Sequence, residues 1–164
     1  PYSGDTDPYS AGNGSLMRHS PVAIAYHRNS GKAIEVARLQ SRTTHAAAEC
    51  EDYCVLFTEL LLAAFAGSAQ VESDLDREQV SSSGYVKHTY EAAVWAIATT
   101  SSFREALISA VNLGDDADTV GAVTGQLAGA LYGYSAIPDE WSDVLIWREK
   151  IEALSDGLIA VSGR

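Results

Sequence analysis

An acidic turn between residues 112 and 122 carries the side chains of this sequence that are best suited to chemistry. Three aspartates and a threonine fall within five positions: Asp115, Asp116, Asp118 and Thr119. Mg²⁺, Mn²⁺ and Ca²⁺ prefer oxygen ligands, and closely spaced carboxylates repel one another unless a cation or water lies among them. On an irregular or extended backbone, Asp116 and Asp118 point the same way. The turn therefore predicts a hard-cation site with Asp116, Asp118 and Thr119 as its ligands.

The alternative for this turn is a helix N-terminus at which acids offset the helix dipole. One aspartate or one threonine would fit that alternative. Three acids and a threonine on a turn that Gly114 introduces exceed what a helix cap needs. The pattern favours a metal site.

The segment Gly12-Asn13-Gly14-Ser15-Leu16-Met17-Arg18 is a second candidate site. Its two glycines let backbone N–H groups approach an anion, and the Arg18 guanidinium can bind a phosphate or carboxylate through two hydrogen bonds. A tight turn that only joins two elements is the alternative, and the local features do not decide between them. The spacing fits neither a Rossmann fingerprint nor a P-loop.

His45 is expected at the start of a long helix, with Glu49 and Asp52 on the same face. Cys50 and Cys54 lie elsewhere around that helix, which disfavours a zinc cluster with His45. A single histidine at a helix start is more often a hydrogen-bonded structural residue than a catalyst. The residues alone therefore assign no role to His45.

The elements that must position these side chains are all predicted to be helices, since no segment alternates at period two for long enough to form a strand. The tryptophans Trp95, Trp141 and Trp147 are expected in the core. Helices are predicted from Ser20-Pro21, over 31–40, from Thr43-Thr44 to about residue 66, over 88–100, from a capping box at Ser102 and Glu105 to the acidic turn, and over the apolar residues between Val144 and Ile159.

A glycine-rich helix follows the acidic turn, because Gly121, Gly125, Gly129 and Gly133 recur every four residues. Each glycine inside a helix costs about 1 kcal/mol relative to alanine. Close packing of another helix against the glycine face would offset that cost. The segment is too short and too polar at its start to span a membrane.

Composition limits the classes of protein. With 164 residues, of which 46% are hydrophobic, the chain suits a single compact domain over residues 1–164. The net charge of −11, without any cluster of Lys or Arg, argues against nucleic acid and anionic membranes as partners. Few cysteines and the lack of a signal peptide lead us to expect a cytoplasmic protein.

Five segments together resemble the ADP-ribosylglycohydrolase family, in particular its dinitrogenase reductase-activating glycohydrolase-like members. They follow the family's own order: residues 10–18, Thr44-His45, Gly84-Tyr85-Val86, 114–119 and 128–133. The resemblance implies an all-α, compact orthogonal helical domain around two Mg²⁺ ions, with Mn²⁺ as a possible substitute. It also implies hydrolysis of the glycosidic bond that links ADP-ribose to a protein side chain or a small acceptor.

The same resemblance implies roles for individual residues. Asp116, Asp118 and Thr119 would ligate metal, and His45 would border the ribose or nucleotide pocket. Asp115 stands where the family commonly has glycine. The segment that would shape part of the ADP-ribose site contributes Gly12, Asn13, Gly14, Ser15, Met17 and Arg18.

The family's amino-terminal part, with its Thr-Asp-Asp-Thr metal motif and catalytic carboxylate, has no counterpart in this sequence. We therefore expect the chain to be the carboxy-terminal part of an enzyme that an amino-terminal segment or a second chain completes. The alternative is a non-catalytic ADP-ribose-binding or structural relative. The acceptor, whether arginine, serine, an O-acetyl group or another, stays open.

Overall fold

A computed structural model describes residues 2–162, and its regular secondary structure is helical. Within those residues the β-structure consists only of isolated bridges, which confirms the all-α prediction. No helix in that range is long and apolar enough to cross a membrane. The α-helices are α1 (Ser20–Tyr26), α2 (Ser30–Arg42), α3 (Ala48–Phe65), α4 (Val86–Ala98), α5 (Phe103–Val111), α6 (Ala117–Tyr132), α7 (Asp139–Ser142) and α8 (Arg148–Val161).

Helix α6 is central, because it packs against α3, α4 and α5. Its Val123 and Leu127 are fully buried in the same core as Phe57 and Leu61 of α3. This packing fixes the N-terminal end of α6, where the acidic turn lies. Burial of these large apolar side chains contributes about 1.5–3 kcal/mol each.

The predicted helix starts are confirmed at α1 and α5 but are wrong at α3 and α8. The Ser102 hydroxyl accepts the Glu105 N–H at 3.2 Å, as a capping residue does. Helix α3 begins at Ala48, after the predicted Thr43-Thr44, because the Thr44 hydroxyl contacts Arg18 and His45 instead of helix N–H groups. Helix α8 begins at Arg148, so Val144 and Leu145 precede it.

The glycine face of α6 is closely packed only near its start. A Cβ atom at Gly121 would lie 3.0 Å from Val111 Cγ1 of α5, whereas at Gly125 it would meet Leu107 at an ordinary 3.8 Å. Apart from chain neighbours and the helix's own backbone, no atom of residues 2–162 lies within 4 Å of the corresponding position at Gly129 or Gly133. Within the described residues, no neighbour therefore packs closely against the second half of the glycine face. Gly133 instead ends α6 in the left-handed region, with φ of 82°.

The tryptophans divide between core and surface. Trp95 is buried, and Trp141 is half-buried against Phe103. Trp147 is 71% exposed, so its predicted place in the core is wrong. It lies beside an apolar groove of about 1100 Å³ between α5 and the C-terminal helices, and none of the predicted site residues lines this groove.

Candidate active site

The acidic turn ends at Asp116, which occupies the cap position of α6 without acting as a cap. Gly114 and Asp115 have φ of 82° and 51°, so the backbone reverses here through two left-handed residues, which glycine tolerates better than aspartate. The Asp116 N–H then donates to Ser82 O at 3.0 Å. Within the described chain, the Asp116 side chain accepts no hydrogen bond from the first turn of α6.

Asp118 lies on α6 itself, so the expected extended backbone between the two aspartates is wrong. Asp118 is exposed in the first helical turn, whereas the neighbouring Thr119 is 6% exposed. The helix dipole favours negative charge at this end. The position of Asp118 therefore fits both a metal ligand and an acid that offsets the helix dipole. Asp116 distinguishes between these two interpretations, because it does not cap the helix.

The Asp116 carboxylate contacts the Gly12–Arg18 turn through Asn13. Asn13 Nδ2 donates to Asp116 Oδ2 at 2.6 Å and also lies 2.8 Å from Thr89 Oγ1 of α4. The Asn13 backbone N–H donates to Gly84 O at 3.0 Å. The structure therefore brings the two sequence-predicted sites together, through a nearly buried asparagine.

His45 lies against the two glycines of the turn. A Cβ atom at Gly14 would approach His45 Cε1 to 2.6 Å, so only glycine fits there without displacing the ring. A Cβ atom at Gly12 would lie 3.4 Å from His45 Nε2. His45 precedes α3, and the prediction that it shares a helix face with Glu49 and Asp52 is wrong. Partial burial, together with the nearby Arg18 charge, lowers the pKa of His45 and favours the neutral ring.

Arg18 connects the turn to the C-terminal end of α2. Its guanidinium donates to Gly14 O at 3.0 Å and to Thr44 Oγ1 at 2.6 Å. None of the ion pairs found among residues 2–162 involves Arg18. A salt bridge from Arg18 to the acidic turn is thus absent there, and the exposed guanidinium keeps its positive charge uncompensated beside the glycine turn.

Ser15 and Met17 occupy opposite sides of the turn. Ser15 is fully buried, and its hydroxyl lies 2.9 Å from Ser41 Oγ. The Ser15 side chain therefore supports the turn from within and is not exposed to a substrate. Met17 is 45% exposed, and its sulfur lies 3.9 Å from Thr119 Oγ1.

A cleft of about 710 Å³ is lined by Pro8, Tyr9, Ala11, Gly12, Glu49, Gly84 and Tyr85, so Gly12 is the one predicted site residue in its lining. Gly12 and Gly84 form part of its wall, and a Cβ atom at Gly84 would lie 3.5 Å from Asp116 Oδ2. The Tyr85 hydroxyl donates to Glu49 Oε1 at 2.6 Å, and this hydrogen bond raises the pKa of Tyr85 to about 12. The cleft thus combines glycine backbone, an aromatic ring and a carboxylate next to the acidic turn.

The family model described as ADP-ribosylglycohydrolase matches residues 1–164. The chain belongs to the ADP-ribosylglycohydrolase family. A solved structure described as "ADP-ribosylglycohydrolase-related protein complex" is 39% identical in sequence and superposes with a TM-score of 0.85. The match covers 99% of this chain and 64% of that one.

Two similar members of the ADP-ribosylglycohydrolase family are the ADP-ribosylarginine hydrolases Tri1 of Serratia proteamaculans and Pseudomonas putida. Each is 36% identical to this chain, covering 94% and 96% of it respectively, and in both cases 48% of the relative. The ADP-ribosyl-[dinitrogen reductase] glycohydrolase of Rhodospirillum rubrum is 30% identical over 96% of this chain and 60% of its own length. The chain therefore spans about half the length of the Tri1 relatives, in their carboxy-terminal part.

The sequence analysis assigned no role at the candidate site to three residues that lie there: Thr89, Glu49 and Tyr85. Thr89 is fully buried on the face of α4 that also carries Val86 and Ala93. The sequence did contain a signal for Thr89, because a hydroxyl group on an apolar helix face needs a buried hydrogen-bond partner. For Glu49 and Tyr85, which are 36 positions apart, the sequence offers no signal of their hydrogen bond.

Proposed function

We propose that this chain supplies the carboxy-terminal, metal-binding part of an ADP-ribosyl hydrolase acting on ADP-ribosylated arginine side chains of proteins. The orientation of Asp116 carries the proposal: at the cap position of α6, its carboxylate faces Asn13 beside the cleft and not the helix N–H groups. The two Tri1 relatives are ADP-ribosylarginine hydrolases, which supports arginine as the acceptor.

The donor set fits a hard cation in type. Asp116, Asp118 and Thr119 offer carboxylate and hydroxyl oxygens, the ligands that Mg²⁺ and Mn²⁺ prefer. Within residues 2–162, however, no three His, Cys, Asp or Glu side chains lie close enough to hold one ion. We therefore propose that a polypeptide segment carrying the Thr-Asp-Asp-Thr motif supplies further ligands for two Mg²⁺ ions, together with the catalytic carboxylate.

Bound magnesium would orient the ribose hydroxyls and activate a water for cleavage of the glycosidic bond. The chain's own residues bind and orient the substrate. The Gly12 backbone lines the cleft, where a ribose or diphosphate can approach it, and Arg18 provides the positive charge for the phosphates. The neutral His45 ring accepts or donates one hydrogen bond at a ribose hydroxyl.

A non-catalytic ADP-ribose-binding protein is the second candidate. The lack of a three-carboxylate cluster within residues 2–162 favours it. Retention of two carboxylates and a threonine beside the cleft favours the hydrolase, since binding of a diphosphate gains nothing from adjacent negative charge. Release of free ADP-ribose from an ADP-ribosylated protein distinguishes the two.

The test is calorimetric titration of the chain with Mg²⁺, in three forms: wild type, Asp118→Asn and Asp115→Asn. Asp118→Asn removes a charged ligand and keeps the shape, so Mg²⁺ affinity should fall roughly tenfold or more. Asp115→Asn removes an exposed charge of the same turn that is not a proposed ligand, and should change affinity far less. Equal Mg²⁺ affinity of wild type and Asp118→Asn would refute the metal assignment.

A further inference from the structure

A chain of three hydrogen bonds ends on the Asp116 carboxylate. Thr89 Oγ1 donates to Ser83 O at 3.2 Å, and Asn13 Nδ2 lies 2.8 Å from Thr89 Oγ1 and 2.6 Å from Asp116 Oδ2. Thr89 is fully buried and Asn13 is 8% exposed. The chain thus connects α4, the glycine turn and the start of α6 through two buried side chains and ends on a half-buried carboxylate.

The donors and acceptors of this chain have only one consistent arrangement. An ionised carboxylate only accepts hydrogen bonds, and the single Thr89 hydroxyl proton is directed to Ser83 O. Both neighbours of the Asn13 amide must therefore accept, which requires its nitrogen, not its oxygen, at this position. Each of the two Nδ2 protons then has one partner. The Asn13 side chain is held by both, so its rotation is prevented.

We propose that Asn13 and Thr89 are positioning residues that hold the Asp116 carboxylate in place against the glycine turn. This inference rests on the proposed function, in which Asp116 ligates metal. It changes the role predicted for Asn13, whose nitrogen is committed to Asp116 and Thr89 and is not available to a substrate. Groups that orient a ligating carboxylate commonly change metal affinity by about 10- to 100-fold when they are removed.

Thr89 makes the sharper test, because it contacts neither the proposed metal nor the cleft. Thr89→Val removes the hydroxyl and preserves the shape, so the Asn13 amide loses one of its two anchors. Thr89→Ser keeps the hydroxyl and serves as the conservative rescue. Thr58→Val is the matched control for stability, since it also removes a fully buried helix hydroxyl, but one that lies against His19.

The experiment follows Mn²⁺-induced broadening of the backbone amide signals of residues 116–119 by NMR, with thermal unfolding of each variant in parallel. We expect Thr89→Val to need about tenfold more Mn²⁺ for the same broadening. Thr89→Ser and Thr58→Val should titrate like wild type, although Thr58→Val should lose comparable thermal stability.

The outcomes separate this inference from the proposed function. Unchanged Mn²⁺ titration of Thr89→Val, with binding abolished in Asp118→Asn, would overturn the positioning role and leave the metal site intact. A wild-type chain whose signals do not broaden would overturn the metal assignment, and the positioning role with it. An equal loss in Thr58→Val would attribute the effect to general destabilisation and would also overturn the positioning role.

Discussion

At the scale of single residues, the orientation of the side chain distinguishes a proposed metal ligand from a helix cap. Asp116 and Asp118 have the same side chain and lie two positions apart, but Asp118 is exposed in the first turn of α6 while Asp116 faces Asn13. The clustering of oxygen donors in the sequence led to Asp116, Asp118 and Thr119 as predicted ligands, and their ligand role stays a prediction. The sequence could not predict the Asn13 contact, which joins positions 103 residues apart.

Arg18 has two roles that substitution can separate. Its hydrogen bonds to Gly14 O and Thr44 Oγ1 stabilise the turn, and its positive charge is available to a phosphate. Arg18→Ala should lower both thermal stability and ADP-ribose affinity. Arg18→Lys keeps the positive charge but loses the planar guanidinium with its several hydrogen-bond donors. It should therefore restore ADP-ribose affinity more than thermal stability. Calorimetry with ADP-ribose and thermal unfolding measure the two effects; unchanged affinity in folded Arg18→Ala would limit Arg18 to the structural role.

His19 is a buried histidine held in its neutral form. The Thr58 hydroxyl donates to Cys54 O, so it accepts from His19 Nε2–H at 2.6 Å, while the Gln40 amide nitrogen lies 3.0 Å from Nδ1. A second proton on Nδ1 would face this amide donor. Burial and then the Arg18 charge lower the pKa of His19 to about 4.

This lowered pKa predicts acid sensitivity with a definite sign. Below about pH 6.5 the unfolded chain protonates His19 and the folded chain does not until about pH 4, so stability falls as the pH drops through this window. Between pH 7.5 and 5 the loss from this group is about 2 kcal/mol. Denaturant unfolding of wild type and His19→Gln at both pH values measures it. His19→Gln should be less stable at pH 7.5 and lose less on acidification; identical losses would contradict the assignment.

At the scale of elements, apolar periodicity predicted which segments are helical, and tertiary contacts decided where some of them begin. The Ser102 cap was predictable because its partner, Glu105, is three residues away. The start of α3 was not, because Arg18 and His45 engage the Thr44 hydroxyl from outside the helix. Local signals locate a helix end only where its hydrogen-bond partners are local.

The glycines of α6 offer a matched pair of substitutions. Gly129→Ala adds a methyl group where no described atom lies within 4 Å, so the lower backbone entropy of the unfolded chain should stabilise the protein by roughly 0.5–1 kcal/mol. Gly121→Ala adds the same group 3.0 Å from Val111 Cγ1, and this crowding should cancel or reverse the gain. Denaturant unfolding of both variants tests the difference. A larger stabilisation by Gly121→Ala would show that α5 and α6 are less closely packed.

At the scale of the whole molecule, the described residues build a folded core and only part of the proposed metal site. The core that α3, α4 and α6 share brings the acidic turn and His45 against the glycine turn. Family membership could be predicted, because its motifs are local and follow a fixed order. The sequence could not predict whether this chain holds all the ligands of a metal site, because that depends on which side chains lie close together in space. Within residues 2–162, no three His, Cys, Asp or Glu side chains do so.

The 164-residue chain alone is therefore expected to bind ADP-ribose, to bind Mg²⁺ less tightly than the completed site does, and not to release ADP-ribose from an arginine-modified protein. A second polypeptide with the Thr-Asp-Asp-Thr motif, added in trans, should restore release, because it would bring the remaining ligands and the proton-transfer carboxylate. Circular dichroism first confirms that the chain is helical, and released ADP-ribose is then measured with Mg²⁺ present. Robust turnover by the chain alone would contradict this prediction and show that the catalytic carboxylate belongs to this chain. Glu49→Gln would then be the decisive variant, since Glu49 lines the cleft and Tyr85 holds its carboxylate there.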